Sequence, residues 1–292
     1  MHPQFPLYIP SLGRHEYMIT SKYLSTMGVR HNIVVEPKEV KLYEQAVKKF
    51  NLLTTVIPLD MSYKTKYDYC DNFGLDRSTG SGPCRNFIWE HSKAAGYSHH
   101  WIMDDNIRSF RRLNKNEKVK CSSPAFWSAM EGFVLRYKNV AMAGPNYYMF
   151  APARTKQPPF VVNTRIYSCN LINNNVPFRW RGRYNEDTIL SLDMLKKGWG
   201  TILFNAFLQE KIVTGQVKGG NTDSVYSDGT YNKSQMLVNE HPDVSELSWK
   251  FGRCHHHVNY GKFKKIKLIK KDDVIKTGAV NNLGMGLKKA AV

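Results

Sequence analysis

The sequence predicts an α/β fold built around a parallel sheet. In the first 106 residues, apolar runs typical of strands alternate with amphipathic segments typical of helices. This alternation indicates parallel strands joined by right-handed crossovers. A second observation is the apolar run Trp101–Met103, which ends abruptly in Asp104, Asp105 and Asn106. Open α/β sheets bind ligands at the carboxyl ends of their strands, so these polar residues mark a candidate site.

The predicted elements follow one another along the whole chain. In the first part, strands are expected at 5–10, 31–36, 53–59 and 99–104, with helices ending near 28 and spanning 37–50 and 83–95. In the second part, helices are expected at 122–137 and 185–197, strands at 140–150, 163–173 and 200–210, and a polar helix through residue 240. The polar, glycine-containing segments 61–82 and 214–231 are expected to be loops, the second of them mobile.

The composition points to a polyanionic partner. The chain has 42 Lys and Arg against 24 Asp and Glu, a net charge of +18, and such a surplus favours nucleic acid. A membrane is disfavoured, because no stretch is long and apolar enough to span one and no amphipathic basic helix stands out. The amino terminus does not resemble a signal peptide, and the five cysteines are scattered. We therefore expect a cytoplasmic protein with no membrane contact and no obligate protein partner.

Basic residues cluster in three segments suited to DNA phosphates. Two of the segments supply the candidate DNA-binding residues, which are Arg108, Arg111, Arg112, Arg179, Arg181 and Arg183. The third is the lysine-rich run at 262–271. The alternative is that these residues form the solvated surface of a generally basic protein.

Two acidic clusters are candidates for catalysis. Asp104 and Asp105 are hard oxygen ligands of the kind that Mg²⁺ or Mn²⁺ prefers. Glu186 and Asp187 open a predicted helix that Asn185 can cap, and a carboxylate there can accept a proton from a hydroxyl. The positive end of the helix dipole should depress the pKa of both carboxyl groups. The alternative readings are a solvated turn for the first cluster and an ordinary helix start for the second.

Two further motifs carry possible ligand groups. Gly82-Pro83 begins a helix whose backbone N–H groups, together with Arg85, could hold a diphosphate; ordinary capping is the alternative. His255, His256 and His257 are adjacent, so they cannot all ligate one ion, although one of them could complete an oxygen-rich metal site. The alternative for each histidine is a basic surface loop.

The order of these motifs resembles the GT-A glycosyltransferases. The matching runs are I-P-S-L-G-R at 9–14, G-P-C-R-N at 82–86, W-I-M-D-D-N at 101–106 and Y-N-E-D-T at 184–188. With G-R-C-H-H-H-V-N-Y at 252–260, they are most similar to the TET-associated glycosyltransferases of bacteriophages. The resemblance extends over roughly residues 5–260.

The resemblance implies a role for each matching residue. Asp187 would be the catalytic base, with Glu186 as the substitute candidate. Asp105, Asn106 and His257 would hold Mn²⁺ or Mg²⁺, although His255 or His256 could replace His257, and Asn106 stands where the family has an acid. The residues expected at the nucleotide sugar are Pro10, Ser11, Arg14, Arg85, Asn86 and Asp104.

The expectation is a GT-A-like α/β fold in one continuous unit. Residues 1–106 would be the nucleotide-sugar-binding half with a mostly parallel sheet, 107–260 the acceptor-binding half, and 261–292 a basic tail. The implied enzyme is a metal-dependent hexosyl- or pentosyltransferase. It would move a sugar from a nucleotide diphosphate sugar to a modified pyrimidine in DNA, 5-hydroxymethylcytosine or 5-hydroxycytosine, with the base flipped out of the duplex. The alternatives are a metal-dependent nuclease or nucleotidyltransferase, and a non-catalytic nucleic-acid-binding protein.

Overall fold

A computed structural model describes residues 1–151, 157–212, 230–250 and 252–272 of the chain. The predicted loop at 214–231 lies outside these ranges except for its last two residues, and so does the tail beyond residue 272. No helix among the described residues has the length and apolar character needed to cross a membrane.

The first part of the chain alternates strands and helices as predicted. Its elements are β1 (Leu7–Pro10), α1 (Ile19–Thr26), β2 (His31–Val35), α2 (Val40–Lys49), β3 (Thr54–Pro58), α3 (Ser62–Lys66), α4 (Gly82–Ala94) and β4 (His99–Met103). The short helix α3 falls within the segment 61–82, which the sequence predicted to be a loop throughout.

The second part contains more strands than the sequence predicted. Its elements are β5 (Ile107–Asn114), β6 (Glu117–Lys120), α5 (Ala125–Val134), β7 (Val140–Tyr147), β8 (Phe160–Val162), β9 (Cys169–Asn173), α6 (Glu186–Lys196), β10 (Gly200–Lys211), α7 (Tyr231–Glu240), β11 (Ser245–Lys250) and β12 (Arg253–Val258). The hairpins β5–β6 and β11–β12 were not predicted, and the strand expected at 163–173 begins only at Cys169.

One sheet runs through both parts. Strands β3, β2, β1 and β4 lie side by side and are all parallel. The sheet continues through β9, β7, β10, β5 and β6, where only β7 and β10 are parallel neighbours and β8 joins the side of β10. The predicted α/β fold, with a parallel sheet in residues 1–106, is therefore confirmed.

Helices cover both faces of this sheet. On β4, Trp101 and Met103 belong to the cluster that includes α1, α2 and α5, whereas Ile102 packs with Trp89 of α4 on the opposite face. This alternation follows from the two-residue period of a strand. Because β4 is buried on both faces, its continuous apolar run is the expected sequence pattern for a central parallel strand.

The described part of the basic tail is packed against the fold. Phe263 is buried in a small cluster with helix α6 and α7 residues, and Leu268 packs against the main core. Lys270 forms a backbone bridge with Tyr137. At least to residue 272, the segment is therefore part of the folded unit.

Candidate active site

A cavity of about 870 Å³ opens at the carboxyl ends of β1, β2 and β4. Both predicted acidic clusters line it, together with Pro10, Ser11 and Arg14 from the β1 end. Its size lies in the range of small-molecule sites. The position expected from the general rule for α/β sheets is thus where the structure gathers the candidate residues.

Arg85 joins the two acidic clusters. Its guanidinium is almost fully buried and donates hydrogen bonds to Asp104 (2.8 Å) and Asp187 (3.1 Å). It also donates to Ser81 Oγ and lies 3.9 Å from a carboxylate oxygen of Glu186. The sequence suggested Arg85 as a diphosphate ligand. In this geometry Arg85 instead bridges the carboxylate of Asp104, which follows β4, and the carboxylates at the start of α6.

Asp104 lies between two cations. Besides Arg85, it accepts a hydrogen bond of 2.6 Å from Lys211 Nζ at the end of β10. Burial alone would raise the pKa of Asp104, but Lys211 and Arg85 lower it to about 2. Asp104 is therefore ionised at any physiological pH. Lys211 was not among the predicted site residues.

Asp105 is held by the residues that precede α1. It forms an ion pair with Arg14 and accepts a hydrogen bond of 2.6 Å from Ser11 Oγ. Burial raises the pKa of Asp105, and Arg14 and Ser11 oppose that effect. The predicted grouping of Ser11 and Arg14 with the aspartates is therefore present in the structure.

Glu186 and Asp187 begin α6 and both face the cavity. Asp187 accepts hydrogen bonds from Ser168 N (3.2 Å) and Asn170 Nδ2 (3.3 Å), and Glu186 accepts one from Ser81 Oγ (3.2 Å). The expected cap is absent, because Asn185 has a left-handed backbone and its amide donates to the Lys233 carbonyl.

The expected depression of the pKa of Asp187 by the helix dipole is wrong. Burial raises the pKa of Asp187 to about 6, against the opposing effect of Arg85 and with further increases from Glu186 and Asp104. Loss of hydration and the nearby negative charges thus outweigh the helix end and the guanidinium. A carboxylate with a pKa near 6 is a stronger base than an ordinary aspartate, which suits proton transfer.

The histidine prediction needs a correction. Successive side chains of β12 alternate in direction, so His256 lines the cavity while the predicted ligand His257 lies on the other side, more than half exposed and 3.6 Å from Glu246. Burial, aided by Lys233 and Arg165, lowers the pKa of His256 to about 4, so its ring is neutral at pH 7.

The remaining predicted metal ligands fit a divalent cation only in part. No group of three His, Cys, Asp or Glu side chains suited to a metal occurs in the described ranges. However, Mg²⁺ commonly uses one or two carboxylates and takes its other ligands from substrate phosphates and water. Asp105 fits that pattern, and the side-chain oxygen of Asn106 beside it is buried with no hydrogen-bond partner among the described residues.

Other predicted contacts lie outside the cavity. The Asn86 side chain makes two hydrogen bonds to the backbone of Trp180, which fasten the 179–183 loop to α4. In that loop Arg179 pairs with Glu90, Arg181 with Asp193 and Glu240, and Arg183 with Asp71. These four residues do not line the cavity, so the structure gives them roles within the fold.

The arginines of the β5–β6 hairpin are more accessible. Arg108 and Arg111 share Glu210 of the neighbouring strand β10, while Arg112 projects into solvent. The Arg108 side chain remains 59% exposed despite its ion pair. Of the two predicted arginine segments, this hairpin is therefore the one that can still contact an external anion.

Comparison with known families decides the assignment. The sequence model of the TET-associated glycosyltransferase family matches residues 5–220. The chain belongs to this family. The predicted resemblance is thereby confirmed, and the protein is a glycosyltransferase. Comparison with curated proteins finds no sequence match.

Among the solved structures that match this chain is the inositol-1-phosphate CTP transferase from T. maritima. It is 8% identical in sequence, and the alignment covers 83% of this chain and 99% of that chain with a TM-score of 0.38.

Sequence reasoning missed several residues of this TET-associated glycosyltransferase site. Lys211 ends a strand whose strand character was predicted, but nothing in the sequence indicates that it reaches Asp104. Ser168 donates its backbone N–H to Asp187, and its hydroxyl contacts both Lys211 and Tyr147. Ser168 lay inside the strand expected at 163–173, and the sequence gives no signal that singles it out.

Proposed function

We propose that this enzyme transfers a hexose or pentose from a nucleotide diphosphate sugar to a modified pyrimidine in DNA. The acceptor would be the hydroxyl group of 5-hydroxymethylcytosine or 5-hydroxycytosine. The observation that carries the proposal is the family match together with one cavity in which Arg85 joins Asp104 and Asp187. The net charge of +18 and the exposed hairpin arginines support DNA as the acceptor.

In the proposed reaction, Asp187 is the general base. The acceptor oxygen forms a bond to the anomeric carbon of the sugar and gives its proton to the Asp187 carboxylate. The bond from that carbon to the diphosphate oxygen breaks, and the diphosphate leaves with the electron pair. Glu186 remains the substitute candidate, because it faces the same cavity from the adjacent position of α6.

Positive charge for the leaving diphosphate is available in the same cavity. Arg14 and Lys211 line the cavity beside Asp105 and Asp104, and both are fixed there by ion pairs. When bound at Asp105 and Asn106, Mn²⁺ or Mg²⁺ would add Lewis-acid neutralisation of the diphosphate. The five cysteines are unpaired thiols, which fits the reducing cytoplasm proposed as the place of reaction.

The reaction is tested by mass spectrometry of nucleosides. DNA containing 5-hydroxymethylcytosine or 5-hydroxycytosine is incubated with enzyme and a panel of sugar nucleotides. A sugar-sized mass increase on the modified base with release of nucleoside diphosphate is expected. Strand nicking or release of pyrophosphate instead would support the nuclease or nucleotidyltransferase alternative.

The base is tested by substitution and pH. Asp187→Asn should lower turnover by about 10² to 10⁴, the usual size of general-base catalysis, while DNA and nucleotide affinity are kept. Because the base must be ionised and its pKa is raised to about 6, wild-type turnover should fall roughly tenfold for each pH unit below that value. Near-normal turnover in Asp187→Asn with an inactive Glu186→Gln would transfer the role to Glu186.

The metal is tested by calorimetry with a nucleoside diphosphate. If phosphates complete the coordination, Mn²⁺ should bind weakly alone and tighten nucleotide binding in wild type, and Asp105→Ala should lose that increase. His257→Ala serves as the matched control, since His257 lies away from the cavity. An equal metal effect in wild type and Asp105→Ala would contradict the proposed site.

A further inference from the structure

A half-exposed aromatic segment borders the cavity on the side of the basic hairpin. Strand β7 ends at Tyr147, and the single turn Tyr148–Phe150 follows it. The side chains of Met149 and Phe150 are 62% and 48% exposed. Two adjacent apolar side chains are thus exposed, and one of them, Phe150, lines the candidate cavity.

Phe150 is part of the cavity wall and is connected to the proposed base. Its ring contacts Tyr147 at a centroid distance of 5.5 Å, and both rings line the cavity with Asp187. The Tyr147 hydroxyl contacts Ser168 Oγ at 2.5 Å, and Ser168 N donates to Asp187 at 3.2 Å. A planar group resting on Phe150 would therefore lie at the mouth of the site where the proton is transferred.

Phe150 is the most solvent-exposed of the aromatic residues that line the cavity here. Tyr167 also lines the cavity, but its ring already lies 4.5 Å from Tyr147, and the Arg165 guanidinium sits 4.8 Å from its centroid. Phe150 meets Tyr167 only at 6.4 Å and edge-on. Its nearly half-exposed ring is therefore available to stack with an incoming flat group.

The β5–β6 hairpin is fastened to the same segment. Lys118 Nζ donates a hydrogen bond of 2.6 Å to the Tyr148 carbonyl and lies 4.0 Å from the centre of the Tyr148 ring. Arg111 lies over that ring at 5.0 Å. Lys115 and Lys120 of the hairpin are exposed, and the pairing of Lys120 with Arg111 places Lys120 on the face that contacts Tyr148. Exposed cations that suit phosphates therefore adjoin the turn that carries the Phe150 ring.

We propose that Phe150 is the stacking platform for the acceptor base extruded from DNA, with the β5–β6 hairpin holding the adjacent phosphates. This inference rests on the proposed action on DNA, and it names the residue that receives the base. Stacking of a base on an aromatic side chain tolerates any base identity, so Phe150 supplies position, and the cavity behind it selects the hydroxyl.

A double-mutant cycle between protein and DNA tests the proposal without requiring turnover. One partner is a duplex with a single 5-hydroxymethylcytosine, and the other is the same duplex with an abasic site at that position. Wild type, Phe150→Leu and Phe150→Tyr are compared, with Met149→Ala as the matched control from the same exposed turn. Binding is measured by fluorescence anisotropy at one fixed salt concentration, since DNA affinity depends on salt.

The stacking role predicts a specific pattern of affinities. Phe150→Leu should weaken binding to the base-containing duplex about 5- to 150-fold, the range expected for one base–aromatic stack, and leave binding to the abasic duplex unchanged. Phe150→Tyr and Met149→Ala should bind both duplexes like wild type. Unchanged nucleoside diphosphate affinity in Phe150→Leu would confirm that the cavity is intact.

The opposite outcomes are distinct from failure of the proposed function. Equal losses on both duplexes, or no loss on either, would overturn the stacking role of Phe150 even if the enzyme glycosylates DNA. A base-dependent loss in Phe150→Leu with no sugar transfer by wild type would instead support the platform and contradict the proposed reaction.

Discussion

The β5–β6 hairpin and the 179–183 loop have similar sequences, but their arginines differ in ion pairing and in solvent exposure. Each contributes three arginines next to an aromatic or apolar residue, and both were predicted to contact DNA. In the loop, every guanidinium is paired with carboxylates of the fold, whereas the hairpin leaves Arg112 in solvent and Arg108 mostly exposed. The density of arginine along a sequence therefore does not distinguish a structural cation from one that can bind an external anion.

Arg183 is the most deeply buried arginine of the 179–183 loop. Its side chain is 1% exposed and donates to both oxygens of Asp71. Its remaining N–H groups donate to the carbonyls of Gly74, Arg77 and Ser78. With all donors used, Arg183 organises the 71–78 loop, which forms part of the cavity wall. We therefore omit Arg183 from the proposed DNA contacts.

The largest effect in this comparison is expected for Arg183→Ala. Removing one partner of a buried ion pair leaves the Asp71 charge uncompensated, so the free energy of unfolding should fall by about 3–5 kcal/mol. Chemical denaturation monitored by tryptophan fluorescence measures it. Arg112→Ala is the control and should change stability by less than about 0.5 kcal/mol, as expected for an exposed surface site. Equal stabilities of the two variants would remove the distinction between the segments.

A smaller effect, confined to DNA affinity, is expected from the hairpin. Replacing Arg112, Lys115 and Lys120 by alanine should reduce the slope of log affinity against log salt by about 3, close to one for each phosphate that is no longer neutralised. The fold should be unaffected, because all three side chains are exposed. Titrations between roughly 50 and 200 mM salt measure the slope. An unchanged slope would mean that DNA binds elsewhere on the protein.

The contrast between the segments also explains what the sequence could predict. The parallel half was predictable because its strands β1, β2 and β4 are buried on both faces, so burial alone produces the apolar runs around Ile9, Ile33 and Ile102. Strand β5 of the hairpin escaped prediction because its burial does not alternate: Ser109 and Phe110 are adjacent and both buried, and Arg111 occupies a half-buried position.

The acidic residues of the site could be predicted from the sequence, but most of the residues that contact them could not. Asp104, Asp105, Glu186 and Asp187 meet in the cavity because β4 ends and α6 begins at the same edge of the sheet. The partners that set their pKa values, such as Lys211 for Asp104, are distant in sequence and carry no local signal. The choice between His256 and His257 depended on the register of a hairpin that the sequence did not reveal.

The smallest effect within the loop should come from Arg179, its most exposed arginine. Its side chain is 34% exposed, as against 1% for Arg183, and its partner Glu90 is 40% exposed. Solvent screens such a pair, so it should contribute only about 0–1 kcal/mol, to which contact with the Trp89 ring adds some packing. Arg179→Ala should therefore destabilise the protein by no more than about 1 kcal/mol.

Arg179 also provides the sharpest test of the loop as a whole, because it is the loop arginine best placed to reach an external phosphate. If the 179–183 loop serves only the fold, Arg179→Ala must leave the salt dependence of DNA binding unchanged, in contrast to the hairpin variant. A reduction of the slope by about one would show that Arg179 exchanges Glu90 for a phosphate when DNA binds. Whether an arginine binds DNA would then depend on the exposure of its own side chain, and not on whether it lies in the loop or in the hairpin.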